Sequence, residues 1–344
     1  MKYPLDRICI VMMSAIGDTV HVLPVINAIK RQHRSAHITW VLQPGPASLV
    51  RGHPAVDDII IFDRTLGWRA FAGVRRELRR RSFDVLLDLQ VYFKAGIVTA
   101  LSGAPTRLGF DRARARDLNW LFTNRRISAN PVQHVQDQYF EFLKELDVPT
   151  QPVEWNLGPW PDELNWQKDW VSQHMARPIA TIVVGSSKPD KDWIPERWTA
   201  VCNLLENEYG LQPVLVGGGS EREINAAARI AATAAHPPIN ALGSGLRRLV
   251  SILDASSVVL APDTGPLHMS VALDRPVISL IGYSDPRRTG PYRKFQDLII
   301  DAYHDPGETA PVSMKTRAGR MDRIQVSDVA DRLAVWNQRY RAKV

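Results

Sequence analysis

Apolar positions along the first 150 residues alternate between two rhythms. Residues 7–13, 37–42, 58–62 and 84–89 are short runs rich in Ile, Val and Leu, apolar on both faces as buried strands of a parallel sheet are. Between them, residues 18–32, 68–81, 93–101 and 132–146 carry apolar side chains at helical spacing. Strand–helix alternation of this kind predicts a parallel sheet wound with helices. Near residue 150 the pattern breaks. Val148-Pro149-Thr150-Gln151-Pro152-Val153 and Leu157-Gly158-Pro159-Trp160-Pro161 read as an exposed linker. The alternation then restarts, with strands over 179–184, 212–216, around Val258 and up to Ile281. Helices are predicted over 196–208, 221–235 and 246–254, after Gly265, and over 326–340.

The predicted fold class is therefore α/β: two doubly wound, Rossmann-like domains facing each other across a cleft. Residues 1–155 form the N-terminal domain and 156–325 the C-terminal one. Residues 326–344 form a C-terminal helix expected to pack back towards the N-terminal domain. Ligands of such sheets bind at the carboxyl ends of the strands, so the turns there are where chemistry is sought.

Composition sharpens this. With 344 residues, 45% of them hydrophobic, the chain is long enough for two cores. No run reaches the roughly 18 apolar residues that cross a bilayer, and the N-terminus lacks a signal-peptide cleavage pattern. A cytoplasmic protein is expected. Cys9 and Cys202 sit in apolar runs and read as small buried hydrophobes. The charge is unevenly spread. Residues 1–150 hold 21 Lys and Arg against 14 Asp and Glu, which accounts for the whole +7 excess. Such asymmetry suits a polyanionic partner. Aromatic residues are too sparse there, and too little interleaved with basic ones, for single-stranded nucleic acid.

Four strand-end turns carry candidate chemistry. Asp263-Thr264-Gly265-Pro266-Leu267-His268 joins an apolar run to a helix, aiming backbone N–H groups at an anion such as a diphosphate, or simply capping that helix. Ser14-Ala15-Ile16-Gly17-Asp18 ends the first strand; Asp18 is read as a helix cap or a general base. Gly185-Ser186-Ser187-Lys188-Pro189-Asp190-Lys191-Asp192 offers hydroxyls and lysines to phosphate oxygens. Its Asp-Lys-Asp spelling is discounted as a metal site, because the lysine opposes a cation. Gly217-Gly218-Gly219-Ser220-Glu221 opens a helix, with Glu221 either a ribose acceptor or a favourable first-turn charge. In the basic half, Arg64, Arg69, Lys94, Arg107, Arg112, Arg114 and Arg116 are candidate anion contacts. His134 reads as structural at a helix start. No G-x-G-x-x-G, phosphate-loop or serine-hydrolase motif occurs.

Together these segments resemble glycosyltransferase family 9, which contains the lipopolysaccharide heptosyltransferases. The matching stretches are Ser14 to Asp18 with His21 and Pro24, Lys191-Asp192-Trp193-Ile194-Pro195-Glu196-Arg197-Trp198, Gly217 to Glu221, and Asp263 to His268. Asp88-Leu89-Gln90 with Lys94, and Arg116 through Asn124-Arg125 to His134, look most like heptosyltransferase I. The resemblance implies a fold of the glycosyltransferase B type, with the acceptor on the N-terminal domain and ADP-heptose on the C-terminal one. It implies inverting transfer to the Kdo/lipid A inner core without a metal or other cofactor, at the cytoplasmic face of the inner membrane. Contact with that membrane would be peripheral, through the basic half and exposed aromatics such as Trp68.

On this resemblance Asp18 matches the general base. Ser186, Ser187, Lys191, Glu221, Asp263, Thr264, Gly265 and His268 match donor-binding positions, and Arg64, Lys94 and Arg116 are the acceptor-side cations. Two departures stand out. Met12 lies where the family commonly has Lys or Arg, and the loop from Tyr303 to Arg320 has no obvious counterpart. The alternatives are another nucleotide-sugar donor or acceptor within the family, a nucleotide-sugar epimerase, or a non-catalytic protein binding nucleotides or nucleic acid.

Overall fold

The computed structural model describes residues 3–174 and 176–343. The chain divides into two compact units, Met1–Asn156 and Leu157–Val344. The first holds strands β1 (Arg7–Val11), β2 (His37–Leu42), β3 (Asp58–Ile61), β4 (Val85–Asp88), β5 (Thr106–Gly109) and β6 (Arg125–Arg126). All pair in parallel, in the order β3-β2-β1-β4-β5-β6. The second holds β7 (Ile179–Val183), β8 (Gln212–Val216), β9 (Ile239–Asn240), β10 (Ser256–Pro262), β11 (Val277–Ile281) and β12 (Ile299–Asp301). These too are all parallel, ordered β12-β11-β10-β7-β8-β9.

Counted from its own first strand, each unit therefore has the order 3-2-1-4-5-6. In both, the order reverses beside the first strand: at β1/β4 and at β7/β10. Crossover helices leave such a point on opposite faces of the sheet, so a crevice opens above it. The strands explain themselves locally. Ile8, Cys9, Ile10 and Val11 of β1 are fully buried, as are Ile179, Ala180, Ile182 and Thr181 of β7. β-Branched residues covered on both faces favour a central parallel strand.

Three tryptophans anchor the cores through ring burial and one hydrogen bond each. Trp40 Nε1 donates to the Met12 carbonyl at 3.1 Å, Trp193 Nε1 to that of Ile324 at 3.0 Å, and Trp336 Nε1 to that of Ser257 at 3.1 Å. The Met12 side chain is itself buried. A Lys or Arg there would have to leave this core, which gives the departure from the family habit a packing reason.

The structure refines three expectations. The helix Val326–Arg339 buries Val329, Leu333 and Trp336 in the second unit's core. The stretch near 150 is exposed at Pro149, Gln151 and Pro152, as expected of a linker, yet it is held in place. Arg31 donates to the carbonyls of Pro149, Gln151 and Pro152 and pairs with Glu154, Asn27 holds the Glu154 carbonyl, and Trp155 and Leu157 are buried. Finally, Pro161–His174 is a helix with no fully buried residue. Its missing apolar stripe is why the pattern hid it.

Candidate active site

Above the β1/β4 reversal lies the turn that leads into the helix Ile16–Gln32. Asp18 occupies the helix's first turn, half-buried. One carboxylate oxygen accepts from the Ala15 amide at 3.0 Å and the other from the Tyr139 hydroxyl at 3.1 Å. The carboxylate is thus fixed by two neutral donors, one from 121 residues away. The Ser14–Ala15 peptide is cis. Gln90, just past β4, pins the turn from the other side: its Oε1 accepts from the Met13 amide and its Nε2 donates to the Ser14 carbonyl.

Behind Gln90 is Asp88, completely buried. It accepts from Thr99 Oγ1 at 2.9 Å, from Asn119 Nδ2 at 3.0 Å and from the Gln90 amide at 3.3 Å. Burial disfavours its charged form and outweighs those donors, pushing its pKa up to about 7. His21 Nδ1 meets Gln136 Oε1 at 3.1 Å, and His134 caps its helix by accepting from the Gln136 amide.

The basic candidates of this half separate into two groups. Arg64 follows β3, Lys94 follows β4 and Arg116 follows β5; all three are exposed near strand carboxyl ends. The Arg116 amide donates to the Val91 carbonyl, tying its segment to that of Lys94. Arg112 is exposed and lies 4.4 Å over the Trp120 ring. Arg114, by contrast, is buried, bound to Asp111 and doubly hydrogen-bonded to Glu141. Arg107 is spent on the Ala104 and Phe122 carbonyls. Buried in its pairing, Arg114 is closed to a ligand, and a single sequence does not tell a buried structural arginine from a surface one.

In the second unit, the β7/β10 reversal gathers the other turns. Asp263, 7% exposed, is their hub. Lys191 Nζ reaches its Oδ2 at 2.8 Å and its carbonyl at 3.0 Å. Thr289 Oγ1 donates at 3.1 Å, Ser284 Oγ donates to the same Oδ2, and His268 Nε2 lies 3.8 Å from Oδ1. Burial works against the Asp263 charge, but His268 and Lys191 overcome it and hold the carboxyl far below the usual carboxylate range. Thr264 is the N-cap of the helix Gly265–Ala272, and its hydroxyl turns back to the Pro262 carbonyl instead of bonding a helix amide.

The Ser186 amide and hydroxyl bond Asp192, which Arg222 pairs at 2.6 Å, while Ser187 is exposed. Lys188 and Lys191 both lie over the Tyr283 ring, at 5.2 and 5.8 Å. Glu221 is exposed at its helix start. The buried acid of that turn is Glu223, which accepts from the Gly218 and Ser220 amides and the Ser220 hydroxyl. The Ser220-x-x-Glu223 capping box was readable in the sequence; its second role, filling the space beside Gly185, was not. There a Cβ on Gly185 would stand 2.6 Å from Glu223 Cγ.

The loop without a counterpart is tied to this site's flank. Thr316 bridges to Ser284, the Arg317 amide donates to the Tyr283 carbonyl, and Arg317–Glu308 and Arg320–Asp305 pairs close the loop. Among the described residues, no group of three or more His, Cys, Asp and Glu is arranged to hold a metal ion.

Two parallel 3-2-1-4-5-6 sheets, one with a fixed carboxylate at its reversal point and the other with a lysine–aspartate turn, define a two-domain α/β protein whose strand ends offer ligand crevices. The chain belongs to glycosyltransferase family 9 (heptosyltransferase), whose model matches residues 71–318, and is therefore a glycosyltransferase. It is 29% identical over 332 residues to the lipopolysaccharide core heptosyltransferase OpsX of Haemophilus influenzae, covering 94% of each chain. To lipopolysaccharide heptosyltransferase 1 of Salmonella typhimurium it is 28% identical over 304 residues, covering 84% of this chain and 92% of the relative. Its fold is that of a family 9 glycosyltransferase from Veillonella parvula (TM-score 0.82, 18% identity, 97% and 98% covered). It is also that of the E. coli heptosyltransferase WaaC solved with ADP (TM-score 0.71, 22% identity, 98% and 99% covered). The fold is thus of the glycosyltransferase B class.

Proposed function

We propose that the enzyme moves L-glycero-D-manno-heptose from its ADP-activated form to the Kdo/lipid A inner core of lipopolysaccharide, by an inverting displacement that needs no metal. The observation that carries this reading is the Asp18 carboxylate, held in one orientation by Tyr139 and Ala15 at the strand-order reversal of the first unit. A general base must be oriented before it can take a proton in the transition state, and such a base contributes ~10²- to 10⁴-fold. The names of the relatives support the donor and acceptor classes.

In this reading Asp18 removes the proton from an acceptor hydroxyl. That oxygen attacks the anomeric carbon from the face opposite ADP, the bond from carbon to the β-phosphate oxygen breaks, and its electron pair leaves with ADP. The charge growing on the diphosphate falls to Lys191 and Lys188, to the Ser186 and Ser187 hydroxyls, and to the amides at Thr264 and Gly265. Asp263, with His268 beside it, positions Lys191. Glu221 accepts from the ribose. Arg64, Lys94 and Arg116 meet the anionic groups of the acceptor, on an enzyme working at the cytoplasmic face of the inner membrane.

The test is ADP release from ADP-heptose with a Kdo-bearing acceptor. Asp18→Asn is expected to lower kcat by ~10²- to 10⁴-fold while calorimetry finds ADP binding unchanged. Wild-type turnover in that variant would remove Asp18 as the base. Turnover of the wild type with a different nucleotide sugar, and none with ADP-heptose, would replace the donor.

A further inference from the structure

A side-chain amide in the interior is costly unless its hydrogens find acceptors. Asn119 of the first unit is only 1% exposed, between the segments that follow β4 and β5. Its Nδ2 spreads two hydrogens over three acceptors: Asp88 Oδ2 at 3.0 Å, the Tyr92 carbonyl at 3.1 Å and the Gln90 carbonyl at 3.2 Å. The two carbonyls lie past the end of β4, where the ladder no longer satisfies them. The Asn119 backbone amide donates to the Arg116 carbonyl at 2.9 Å, and the Arg116 amide donates to the Val91 carbonyl at 2.8 Å.

The backbone that delivers Asn119 is held against its local preference. Asp117 and Leu118 stand in succession at φ 49° and 59°, a left-handed conformation that is unfavourable for a bulky side chain. Such strain persists only where the surroundings over-determine it. Asn119 fastens the segment from within. Phe122 fastens it to the helix Phe93–Leu101, where a Cβ on Gly96 would stand 2.2 Å from its ring. On the other side, Gln90 reaches the Met13 amide at 3.1 Å and the Ser14 carbonyl at 3.0 Å. A hydrogen-bonded path thus runs from Arg116 through Asn119 and Gln90 to the turn whose Ala15 amide holds Asp18.

We propose that Asn119 is a positioning residue for the acceptor: it keeps the exposed cations Lys94 and Arg116 in register with Asp18, so that an acceptor held by its anionic groups presents its hydroxyl to that carboxylate. Lys94, Arg116 and Asp18 follow three different strands. Three independent loops would let their spacing drift, and a misplacement of about 1 Å at a reacting centre can cost ~10²-fold in rate. Asn119 removes that freedom by bonding two of the segments directly and the third through Gln90. Asn119 touches no reacting atom. Packing alone does not require it, since an apolar side chain fills the same space but leaves the Gln90 and Tyr92 carbonyls without this donor. The parts given to Lys94, Arg116 and Asp18 rest on the reading under Proposed function.

The experiment measures initial rates with ADP-heptose and a Kdo-bearing acceptor, varying each in turn. In Asn119→Ala the acceptor KM is expected to rise about tenfold and kcat to fall about tenfold. The KM for ADP-heptose and the ADP affinity by calorimetry should stay at wild-type values. Thr99→Val removes the other side-chain donor to Asp88 and leaves the bonds of Asn119 in place. It is expected to lower stability and keep the acceptor KM. An equal rise of acceptor KM in both variants, or none in Asn119→Ala, makes Asn119 a residue of the core alone and overturns the proposal. A double-mutant cycle tests the link to the base without needing Asn119→Ala to fold. Gln90→Leu should lower kcat about tenfold with Asp18 present, but less than about twofold in the Asp18→Asn background. The same loss in both backgrounds also overturns the proposal. Full activity of Asp18→Asn would instead sink the proposed base, and the acceptor KM would still decide the part of Asn119.

Discussion

A carboxylate and its nearest donors decide what happens at single positions. Tyr139 Oη donates to Asp18 without adding charge, so Tyr139→Phe removes orientation and little else. Turnover is expected to fall by about tenfold, in line with the worth of a hydrogen bond to a charged group. ADP affinity by calorimetry should stay constant; a parallel loss of affinity would mean that Tyr139 serves the donor. Asp263 poses the opposite case. Burial alone would raise its pKa, yet His268 and Lys191 depress it, so its ionised form stabilises the folded state above the ordinary carboxylate pKa. That contribution is lost as pH falls below it. Lys191→Met leaves a buried charge without its ammonium and is expected to cost about 3–5 kcal/mol in urea unfolding at pH 7. The difference should shrink towards pH 3; a difference independent of pH would mean that Asp263 is not the charge at stake.

At the level of elements, the glycine turn after β8 and the helix Glu221–Thr233 are joined by one side chain. Glu223 fills the space under Gly185 and accepts the Gly218 and Ser220 amides, so the loops after β7 and β8 share a support. Glu223→Ala is expected to lower stability by about 1–2 kcal/mol through lost capping. It should also weaken ADP binding, although the residue stands behind the turn. Stability loss with unchanged ADP affinity would separate the cap from the site. Most of these elements were legible as runs: the strands at 37–42 and 212–216 and the helix at 93–101 have the bounds that periodicity predicted. The helix Pro161–His174 was not, because it has no apolar face. Strands β6, β9 and β12 were not, because two or three residues carry no rhythm.

Across the whole molecule, buried carboxylates set how stability follows pH. Asp88 titrates near 7 folded, against 3.8 as its ordinary value. A raised pKa makes the protonated state the favoured one, so stability from this group is full below about 4 and is lost as pH rises through 7. The loss is on the order of 4 kcal/mol at most. Compared by urea unfolding at pH 4.5 and pH 8, Asp88→Asn should gain on the wild type as pH rises. An unchanged difference would mean that Asp88 ionises normally. Because Gln90 next to Asp88 holds the Asp18 turn, activity should feel the same titration.

Sequence by itself determined the alternation of strands and helices, the two-domain division and the turns that carry Asp18, Lys191, Glu221 and Asp263. Periodicity and glycine placement are local, and local rules suffice for them. The same local rules left Arg114 among the ligands and Glu223 out of sight. Only the tertiary structure decided that Lys191 rests on Asp263, that Tyr139 holds Asp18 across 121 residues, and that the first unit's exposed large hydrophobic side chains share one edge. Those facts depend on which distant segments the strand order brings together, and contact between distant segments leaves no period in a single chain.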